Sequence, residues 1–169
     1  MAKQLREIRV CGKVAYVPLT QGYEAVIDVD DVGLVSGFSW QVLVLKRQTY
    51  ALRKHRIGLV YRNVYLHRAL MDAPAGMQVD HMDTDGLNNR RGNLRLATRH
   101  QNGQNSRLSR RNTSGFKGVS WDRQRNKWRA KIKFGDKQSH LGLFDSAEGA
   151  HAAYCEASAR LHGEFGRTE

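Results

Sequence analysis

Short runs of apolar and β-branched residues, separated by Gly, Asp or Asn, fill the first 70 positions of the chain. Several runs alternate apolar with polar residues, which is the pattern of a strand that buries one face. The pattern predicts short antiparallel strands over five segments: Lys13–Leu19, Tyr23–Val29, Trp40–Leu45, Thr49–Arg53 and Arg62–Leu66. Between the second and third strands, Asp30–Trp40 is predicted to contain one or two helical turns.

The middle of the chain is polar and divides it. Residues 71–105 are rich in Asn, and residues 106–115 (SRLSRRNTSG) show no periodicity but carry several bases. Such a segment between two periodic regions is typical of a linker. The sequence therefore predicts an N-terminal domain over residues 1–105, a basic linker over 106–115 and a C-terminal domain over 116–169.

The C-terminal domain contains the clearest strand pattern. Lys127–Phe134 alternates basic and apolar residues over eight positions. Because successive side chains point to opposite faces of a strand, Trp128, Ala130, Ile132 and Phe134 share one face and Lys127, Arg129, Lys131 and Lys133 share the other. Phe116–Trp121 and Ser139–Phe144 are the predicted flanking strands, with a turn at Gly135-Asp136.

A helix is predicted to follow these strands. Asp145 has the spacing of an N-cap residue, with Glu148 placed to complete a capping box. Apolar residues recur at helical intervals, and Gly163 supplies a C-terminal stop; the periodic positions are Ala150, Ala153, Tyr154, Ala157 and Leu161. The last 50 residues are thus predicted to form three antiparallel strands packed on one helix, and the whole chain is predicted to be α+β.

Composition narrows the function classes. The chain has 28 Lys and Arg against 16 Asp and Glu, a net charge of +12, which favours a polyanionic partner. An anionic membrane is the second candidate, but no stretch approaches the ~20 apolar residues of a spanning helix. Cys11 and Cys155 lie far apart and exclude a disulfide framework and a cysteine-based zinc site. We expect a cytoplasmic protein that does not bind membranes.

Positive charge is concentrated in one segment. Arg107–Lys133 holds ten bases and one acid. A strand face of a single sign repels itself, so it favours a nucleic-acid ligand over solvent alone. With few exposed aromatic residues, duplex DNA fits this sheet better than single-stranded RNA. The candidate DNA-binding residues are Arg107, Arg110, Arg111, Lys117, Trp121, Arg123, Arg125, Arg129, Lys131 and Lys133.

The segment from Val79 to Asn102 carries the candidate chemistry. A calcium loop is excluded, because aligning Gly86 as the invariant glycine puts His81 and Gly92 at the first and last ligand positions. Zinc is disfavoured, since the histidines have no cysteine partners. A polar loop without chemistry is one alternative. In the other, Asp80 and a later Asn or Asp hold a divalent cation while His81 takes a proton from water, as hydrolysis of a phosphodiester requires.

This segment resembles the HNH endonucleases with a ββα-metal core, and in particular their phage and intron homing branch. The likeness runs from about Leu19 to Asn105 and includes Phe38-Ser-Trp40 and Leu66-His-Arg68. The resemblance implies that His81 is the general base and that Asn93 orients its loop. It implies Asp80 and Asn102 as ligands of one divalent metal ion, Mg²⁺ or alternatively Mn²⁺. Asn102 stands where the family often has His, so weak metal binding is expected.

The C-terminal segment resembles the plant ethylene-response-factor (apetala-type) DNA-binding domain. The likeness covers about Ser114–Phe165 and includes His140–Glu148. In that family the three-stranded sheet lies in the major groove. The positions that match its DNA-contacting residues are Lys117, Ser120, Asp122, Lys131, Lys133 and Ser139. Ser120, Asp122 and Ser139 replace family arginines, so the family's target sequence does not carry over.

Together these features predict a metal-dependent homing-type endonuclease that cuts duplex DNA, with a catalytic core over about residues 60–105 and a C-terminal anchor. We expect a monomer without a small-molecule cofactor, acting in the cytoplasm of a bacterial host and encoded by a phage or mobile element. The alternatives are a DNA-binding regulator with an inactive nuclease core and an RNA-binding protein. Asp80 and His81 are both present, which disfavours the inactive core.

Overall fold

The computed structural model describes residues 5–168; residues 1–4 and 169, at the outer ends of the two predicted domains, lie outside the described residues. The architecture is α+β, as predicted, with small antiparallel sheets and short helices. The chain forms two compact units, one ending at Thr98 and the other beginning at Arg99. Within residues 5–168, no helix has both the length and the hydropathy to span a bilayer.

The N-terminal unit begins with two three-stranded antiparallel sheets. The first contains β1 (Arg9–Cys11), β2 (Val14–Pro18) and β3 (Glu24–Asp28), and the second contains β4 (Gln41–Val44), β5 (Thr49–Ile57) and β6 (Val60–Tyr65). The predicted helical turns lie between them, as a 3-10 turn at Val29–Asp31 and α1 (Val32–Val35). The predicted strands are confirmed, while β1 was not predicted and β5 and β6 form a longer hairpin than expected.

The alternation of the first strands creates the core of this unit. Side chains from β2 and β3 are buried against α1 and the start of the second sheet. The indole of Trp40 is 2% exposed, and its Nε1 donates a hydrogen bond to the Val35 carbonyl at 3.0 Å. Buried members of this core include Ala15, Val17, Ala25, Ile27, Val35, Trp40 and Leu66.

The candidate active-site segment forms a hairpin. Helix α2 (Leu66–Leu70) leads into β7 (Gln78–His81), and a long loop ending in a 3-10 turn at Arg91–Asn93 connects β7 to β8 (Leu94–Ala97). The two strands are antiparallel, with Asp80 opposite Arg95 and His81 opposite Leu94. Helix α3 (Arg99–Gln104) comes next in the chain and opens the C-terminal unit. The chain order is therefore strand, strand, helix, as the ββα prediction requires.

The C-terminal unit has the predicted three strands and one helix. Strands β9 (Val119–Asp122), β10 (Lys127–Phe134) and β11 (Lys137–Phe144) pair in the order β11-β10-β9, and α4 (Ala147–His162) packs on them. Strand β9 starts later than the predicted Phe116. Gly118 has a φ of 76°, and a Cβ there would lie 2.2 Å from the Tyr154 ring, so the chain turns before the strand begins.

One local prediction for this unit, the N-cap of its helix, needs correction. Ser146, not Asp145, caps α4, because its Oγ accepts the Gly149 N–H at 3.0 Å while Asp145 pairs with Lys127. Phe134, at the end of β10, is half-exposed but stacks on His162 of α4 with ring centroids 6.3 Å apart, on the face that the alternation predicts. The predicted linker is partly ordered: the Asn112 side chain donates to the Phe116 carbonyl at 2.8 Å and accepts the Gly115 N–H at 2.8 Å.

Candidate active site and nucleic-acid interface

His81 is the last residue of β7 and its side chain is buried. Its Nε2 lies 3.2 Å from Oδ1 of Asn89, which is itself fully buried. The Asn89 Nδ2 group donates to the carbonyls of Leu87 at 3.0 Å and Gly86 at 3.4 Å, which fixes the amide with its oxygen toward the imidazole. An amide oxygen only accepts, so Nε2 of a neutral His81 must carry the proton and Nδ1 the lone pair.

Aromatic rings surround His81 on the side of the second sheet. The His67 ring packs edge to face against it with centroids 5.0 Å apart, and the Tyr50 ring lies 6.1 Å away. Tyr65 stacks on His67 at 5.4 Å. Burial lowers the pKa of His67 to about 3, with smaller contributions from the charges of His81 and Arg68. His67 is therefore neutral at physiological pH.

The same burial acts on His81. Desolvation lowers the pKa of His81, and the hydrogen bond to Asn89 and the nearby carboxylates of Asp83, Asp80 and Asp85 only partly oppose it. An imidazole with a lowered pKa is unprotonated at neutral pH. It can then accept a proton, which is the chemistry that the sequence predicts for this position.

Asp80 faces the opposite side of β7 from His81 and is paired with an arginine. Arg95, directly across on β8, places Nη2 at 2.8 Å and Nε at 2.9 Å from Oδ2 of Asp80. The Asp80 side chain is 4% exposed and that of Arg95 13% exposed, so this ion pair is largely shielded from water. Sequence reasoning gave Asp80 no protein partner; the cross-strand position of Arg95 supplies one.

Asn93 holds the loop that follows His81. Its Nδ2 donates to Asp83 Oδ1 at 2.9 Å and to the Asn88 carbonyl at 2.8 Å, while its Oδ1 accepts the Asp83 N–H at 3.0 Å. The Asn88 side chain also donates to Asp83 Oδ2 at 2.7 Å. These bonds close the loop on itself, which is the geometry expected if Asn93 orients the loop of the base.

The loop is also fastened to the first sheet. Val26 donates its N–H to the Leu87 carbonyl at 2.8 Å, and Asn89 donates to the Val26 carbonyl at 2.7 Å. Asp28 accepts from the Arg91 N–H at 2.8 Å. Close packing at Gly86 allows no side chain, because a Cβ there would lie 2.3 Å from the Thr49 carbonyl oxygen. Main-chain bonds thus set the position of Asn89, and through it the His81 ring.

The second predicted metal ligand lies in the other unit. Asn102 is half-buried in α3, whereas Asp80, His81 and Asn93 all belong to the N-terminal unit. Within the described residues no group of three or more His, Cys, Asp or Glu side chains has a metal-binding arrangement. The predicted donor set is smaller than that, a carboxylate and an amide. It fits a hard cation such as Mg²⁺, which takes few protein oxygens and fills its shell with water and phosphate.

The basic strand face is present in the C-terminal unit, but Asp122 partly neutralises it. Asp122 accepts N–H bonds from Gln124 and Arg125, and its Oδ2 lies 3.4 Å from the guanidinium groups of both Arg125 and Arg129. Burial would raise the pKa of Asp122, but these bonds and positive charges outweigh it and lower the pKa. A shallow cavity of about 350 Å³ on this face is lined by Asp122, Arg125, Arg129, Lys131, His140 and Leu143.

Two candidate DNA-binding residues lie elsewhere. Trp121 pairs directly with Trp128 across the β9–β10 ladder, so it lies on the face toward α4 and not on the basic face. Lys117 donates from Nζ to the carbonyls of Gln104 at 2.6 Å and Ser106 at 2.8 Å. Burial, assisted by the charge of Arg167, lowers the pKa of Lys117 to about 8. The Lys117 side chain is therefore bonded to main-chain carbonyls of its own unit.

The remaining candidates are accessible. Arg110, Arg111, Arg123 and Lys133 are exposed, as is Arg107, and Lys131 is half-buried. Lys133 also lines a cavity of about 580 Å³ within the C-terminal unit, together with Arg99, His100, Lys117, Tyr154 and His162.

The residues that surround His81 and hold its ring in place could not be identified from the sequence. Asn89 was one of several asparagines in the loop, and no spacing distinguished it from its neighbours. Tyr50 and Tyr65 come from strands far away in sequence. The only local signal was Gly86, whose lack of a side chain permits close packing of the loop against β5.

Comparison with known proteins finds a family match over the segment that contains the candidate residues. The HNH endonuclease family model matches residues 72–104, a range that contains Asp80, His81, Asn93 and Asn102. Protein 3.8 of Escherichia phage T7 is 37% identical over 94 residues, which are 56% of this chain and 77% of that protein. This chain belongs to the family of Protein 3.8 and contains an HNH endonuclease domain.

A second relative extends the similarity along the chain. The uncharacterized HNH endonuclease L560 of Acanthamoeba polyphaga mimivirus is 26% identical over 147 residues, covering 86% of this chain and 74% of that protein. No solved structure matches the chain. The HNH domain and these relatives support a nuclease, and their phage and viral sources fit the phage or mobile-element origin that the sequence predicts.

Proposed function

We propose that this protein is a metal-dependent endonuclease of the homing type that hydrolyses phosphodiester bonds in duplex DNA. The observation that carries the proposal is the state of His81: it is buried, its pKa is lowered, and Asn89 holds one ring nitrogen as a donor. These are the properties of a general base ready at neutral pH, and the residue lies inside the HNH match.

The proton path follows from the tautomer. With Nε2–H donated to Asn89 Oδ1, Nδ1 of His81 accepts the proton of the attacking water. The imidazolium that forms is stabilised by the carboxylates of Asp83, Asp80 and Asp85, whose charges favour protonated His81. Asn93 keeps the following loop in place during this transfer.

Asp80 would supply the carboxylate ligand of the divalent cation, with Mg²⁺ the expected ion and Mn²⁺ an alternative; the second predicted ligand, Asn102, belongs to the other unit. The Nε and Nη2 contacts of Arg95 are made to Oδ2 of Asp80, and a carboxylate accepts at about four positions on its two oxygens. When bound, the cation would supply Lewis-acid stabilisation of the charge that develops on the phosphate and the leaving oxygen.

Duplex DNA is the proposed substrate and partner, with the C-terminal unit as an apetala-type anchor. Exposed cations of this unit support this role, among them Arg110, Arg111, Arg123 and Lys133. A monomer that needs no small-molecule cofactor and acts in the cytoplasm of an infected bacterial cell completes the proposal.

One contact favours the alternative of a DNA-binding regulator with an inactive core. The Arg95–Asp80 pair neutralises the carboxylate that the metal would use. In that case the protein would bind DNA with the same salt dependence but would not cut it, with or without a divalent metal.

Cleavage of supercoiled plasmid separates the two functions. We expect nicked or linear product with Mg²⁺ and none with EDTA, and His81→Ala should reduce the single-turnover rate by about 10²–10⁴ while DNA affinity is retained. Glu156→Ala, at an exposed position on α4 outside the basic face, is the control and should cut normally. DNA binding by wild type without any metal-dependent cleavage would favour the regulator.

A further inference from the structure

One stretch of the N-terminal unit carries positively charged side chains but no negatively charged ones. Between Asp31 and Asp72 the chain contains no Asp or Glu over 40 residues, yet it contains seven Lys and Arg. These residues cover β4, β5, β6 and α2. Among the described residues these Lys and Arg side chains form no ion pair, although Arg56 and Arg68 donate to main-chain carbonyls. Excess charge of one sign without counter-charges is the electrostatic signature of a surface that binds a polyanion.

The far end of this sheet is a hairpin that is exposed on both faces. All ten residues from 54 to 63 are exposed, and we call them the β5–β6 arm. The arm carries Lys54, His55, Arg56 and Arg62 but no acid. A two-stranded ribbon of this kind has the dimensions to enter a groove of duplex DNA.

The tip of the arm is apolar, in contrast to its sides. Leu59 is 91% exposed, and Ile57, Val60 and Tyr61 are 56%, 59% and 63% exposed. Gly58, with a φ of 60°, occupies the first central position of the two-residue turn between the paired residues Ile57 and Val60. A tight turn therefore presents large apolar side chains at the most distant point of a basic ribbon.

The arm is continuous with the wall of the candidate active site. Strand β5 begins at Thr49, and its Tyr50 ring lies 6.1 Å from the His81 ring. Ile57 lies seven positions further along β5 than Tyr50, so the tip is roughly 24 Å from Tyr50 along the strand at about 3.4 Å per residue. That distance corresponds to about seven base-pair steps of duplex DNA at 3.4 Å each.

We propose that the β5–β6 arm lies in a groove of duplex DNA beside the cleavage position, with its cations on phosphates and its apolar tip wedged against a base step. Apolar wedges flanked by cations are used by proteins that bend DNA. This proposal deepens the proposed function, on which it rests for the choice of duplex DNA, because it gives the nuclease unit its own contact with the substrate.

The charge component is tested by salt titration of the full chain on a mixed-sequence 20-bp duplex in EDTA. The triple variant Lys54→Gln/Arg56→Gln/Arg62→Gln should lower the slope of log K against log salt by about 2.7, from roughly 0.9 per phosphate contact. Lys13→Gln/Arg160→Gln, at exposed positions that are not part of the arm, is the control and should keep the slope. If the triple variant melts early, Lys54→Gln/Arg56→Gln should still lower the slope by about 1.8.

The wedge component is tested with Leu59→Ser/Val60→Ser. We expect about a tenfold loss of affinity with an unchanged salt slope, since burial of a large aliphatic side chain is worth about that factor. End-to-end energy transfer across the duplex should also report less bending. Leu34→Ser, at another exposed apolar position, is the control and should change neither value.

The outcomes separate this proposal from the proposed nuclease activity. Binding that depends on the arm in a protein that never cuts DNA would support the arm and contradict the nuclease. Equal slopes for wild type and the triple variant would overturn the arm even if the protein cuts. A tip substitution that abolishes self-association in sedimentation while DNA affinity stays constant would also overturn it.

Discussion

His67 and His81 stand edge to face with ring centroids 5.0 Å apart, and burial lowers the pKa of both. Two buried imidazoles this close disfavour each other's protonation, so the pair is neutral at physiological pH. Nδ1 of His67 is buried without a hydrogen-bond partner among the described residues. His67 therefore provides an uncharged ring that packs against His81. It destabilises the folded protein only under conditions in which the imidazole must be protonated.

The cost of protonating buried His67 predicts that acid lowers the free energy of unfolding through this one residue. The folded-state pKa of His67, about 3, lies below its unfolded value near 6.5, so the unfolded chain binds the proton first as pH falls. His67→Phe removes that proton linkage. As the pH is lowered from 7.5 to 5, wild type should lose about 2 kcal/mol of unfolding free energy relative to His67→Phe. The difference grows by roughly 1.4 kcal/mol for each pH unit below 6.5.

Urea melts of both proteins at the two pH values provide the measurement. His140→Phe, at an exposed position on β11, serves as the control for a generic loss of histidine. Parallel pH dependence of wild type and His67→Phe would show that His67 does not resist protonation in the folded state.

The Asp80–Arg95 pair makes a second residue-level prediction. Removing one partner of a buried ion pair leaves an uncompensated charge, so Arg95→Gln should cost roughly 3–5 kcal/mol. If Asp80 holds the divalent cation, Mg²⁺ should recover part of this loss, because it supplies the missing positive charge. The thermal midpoint of Arg95→Gln should then rise with Mg²⁺ more than that of wild type.

The double variant Asp80→Asn/Arg95→Gln is the matched control for this experiment. It has no carboxylate at position 80 and should show no extra response to Mg²⁺. A Mg²⁺ response of equal size in both variants would place the cation elsewhere in the protein.

At the scale of elements, two adjacent residues at the N-terminus of α4 have different roles: one caps the helix and the other forms a surface ion pair. Ser146 Oγ accepts the Gly149 N–H at 3.0 Å, whereas Asp145, with a side chain 90% exposed, pairs with Lys127. Ser146→Ala should lower the free energy of unfolding by about 1 kcal/mol. Asp145→Ala should cost only a few tenths, roughly, since exposed pairs contribute little. Chemical denaturation measures both, and the reverse order would restore Asp145 as the cap.

The predictability of each element follows from whether its pattern is local. Strand β10 and helix α4 were predictable because their alternation and 3.6-residue spacing record directly which face is buried. The long β5–β6 hairpin was not, since the exposed residues 54–61 carry no burial pattern. Asn89 and Tyr65 could not be assigned to the site, because only the tertiary fold brings them to His81 and His67.

At the scale of the whole molecule, each unit carries its own excess of positive charge. The N-terminal unit has 14 Lys and Arg against 9 Asp and Glu, and the C-terminal unit has 14 against 7. DNA affinity is therefore expected to arise from both units. Within the C-terminal unit, however, the basic side chains are not equally available to phosphates, because Asp122 stays ionised beside Arg125 and Arg129.

This inequality predicts an order of salt effects in the full chain. Lys131→Gln/Lys133→Gln should lower the slope of log K against log salt by about 1.8, whereas Arg129→Gln should lower it by less than about 0.9 because Asp122 already shares its charge. Asp122→Asn keeps an acceptor for the N–H groups of Gln124 and Arg125 but removes the negative charge, so it should steepen the slope. Titration on one mixed-sequence duplex compares all three. A shallower slope for Asp122→Asn, or no change in the double lysine variant, would mean that this sheet face does not lie on the phosphates.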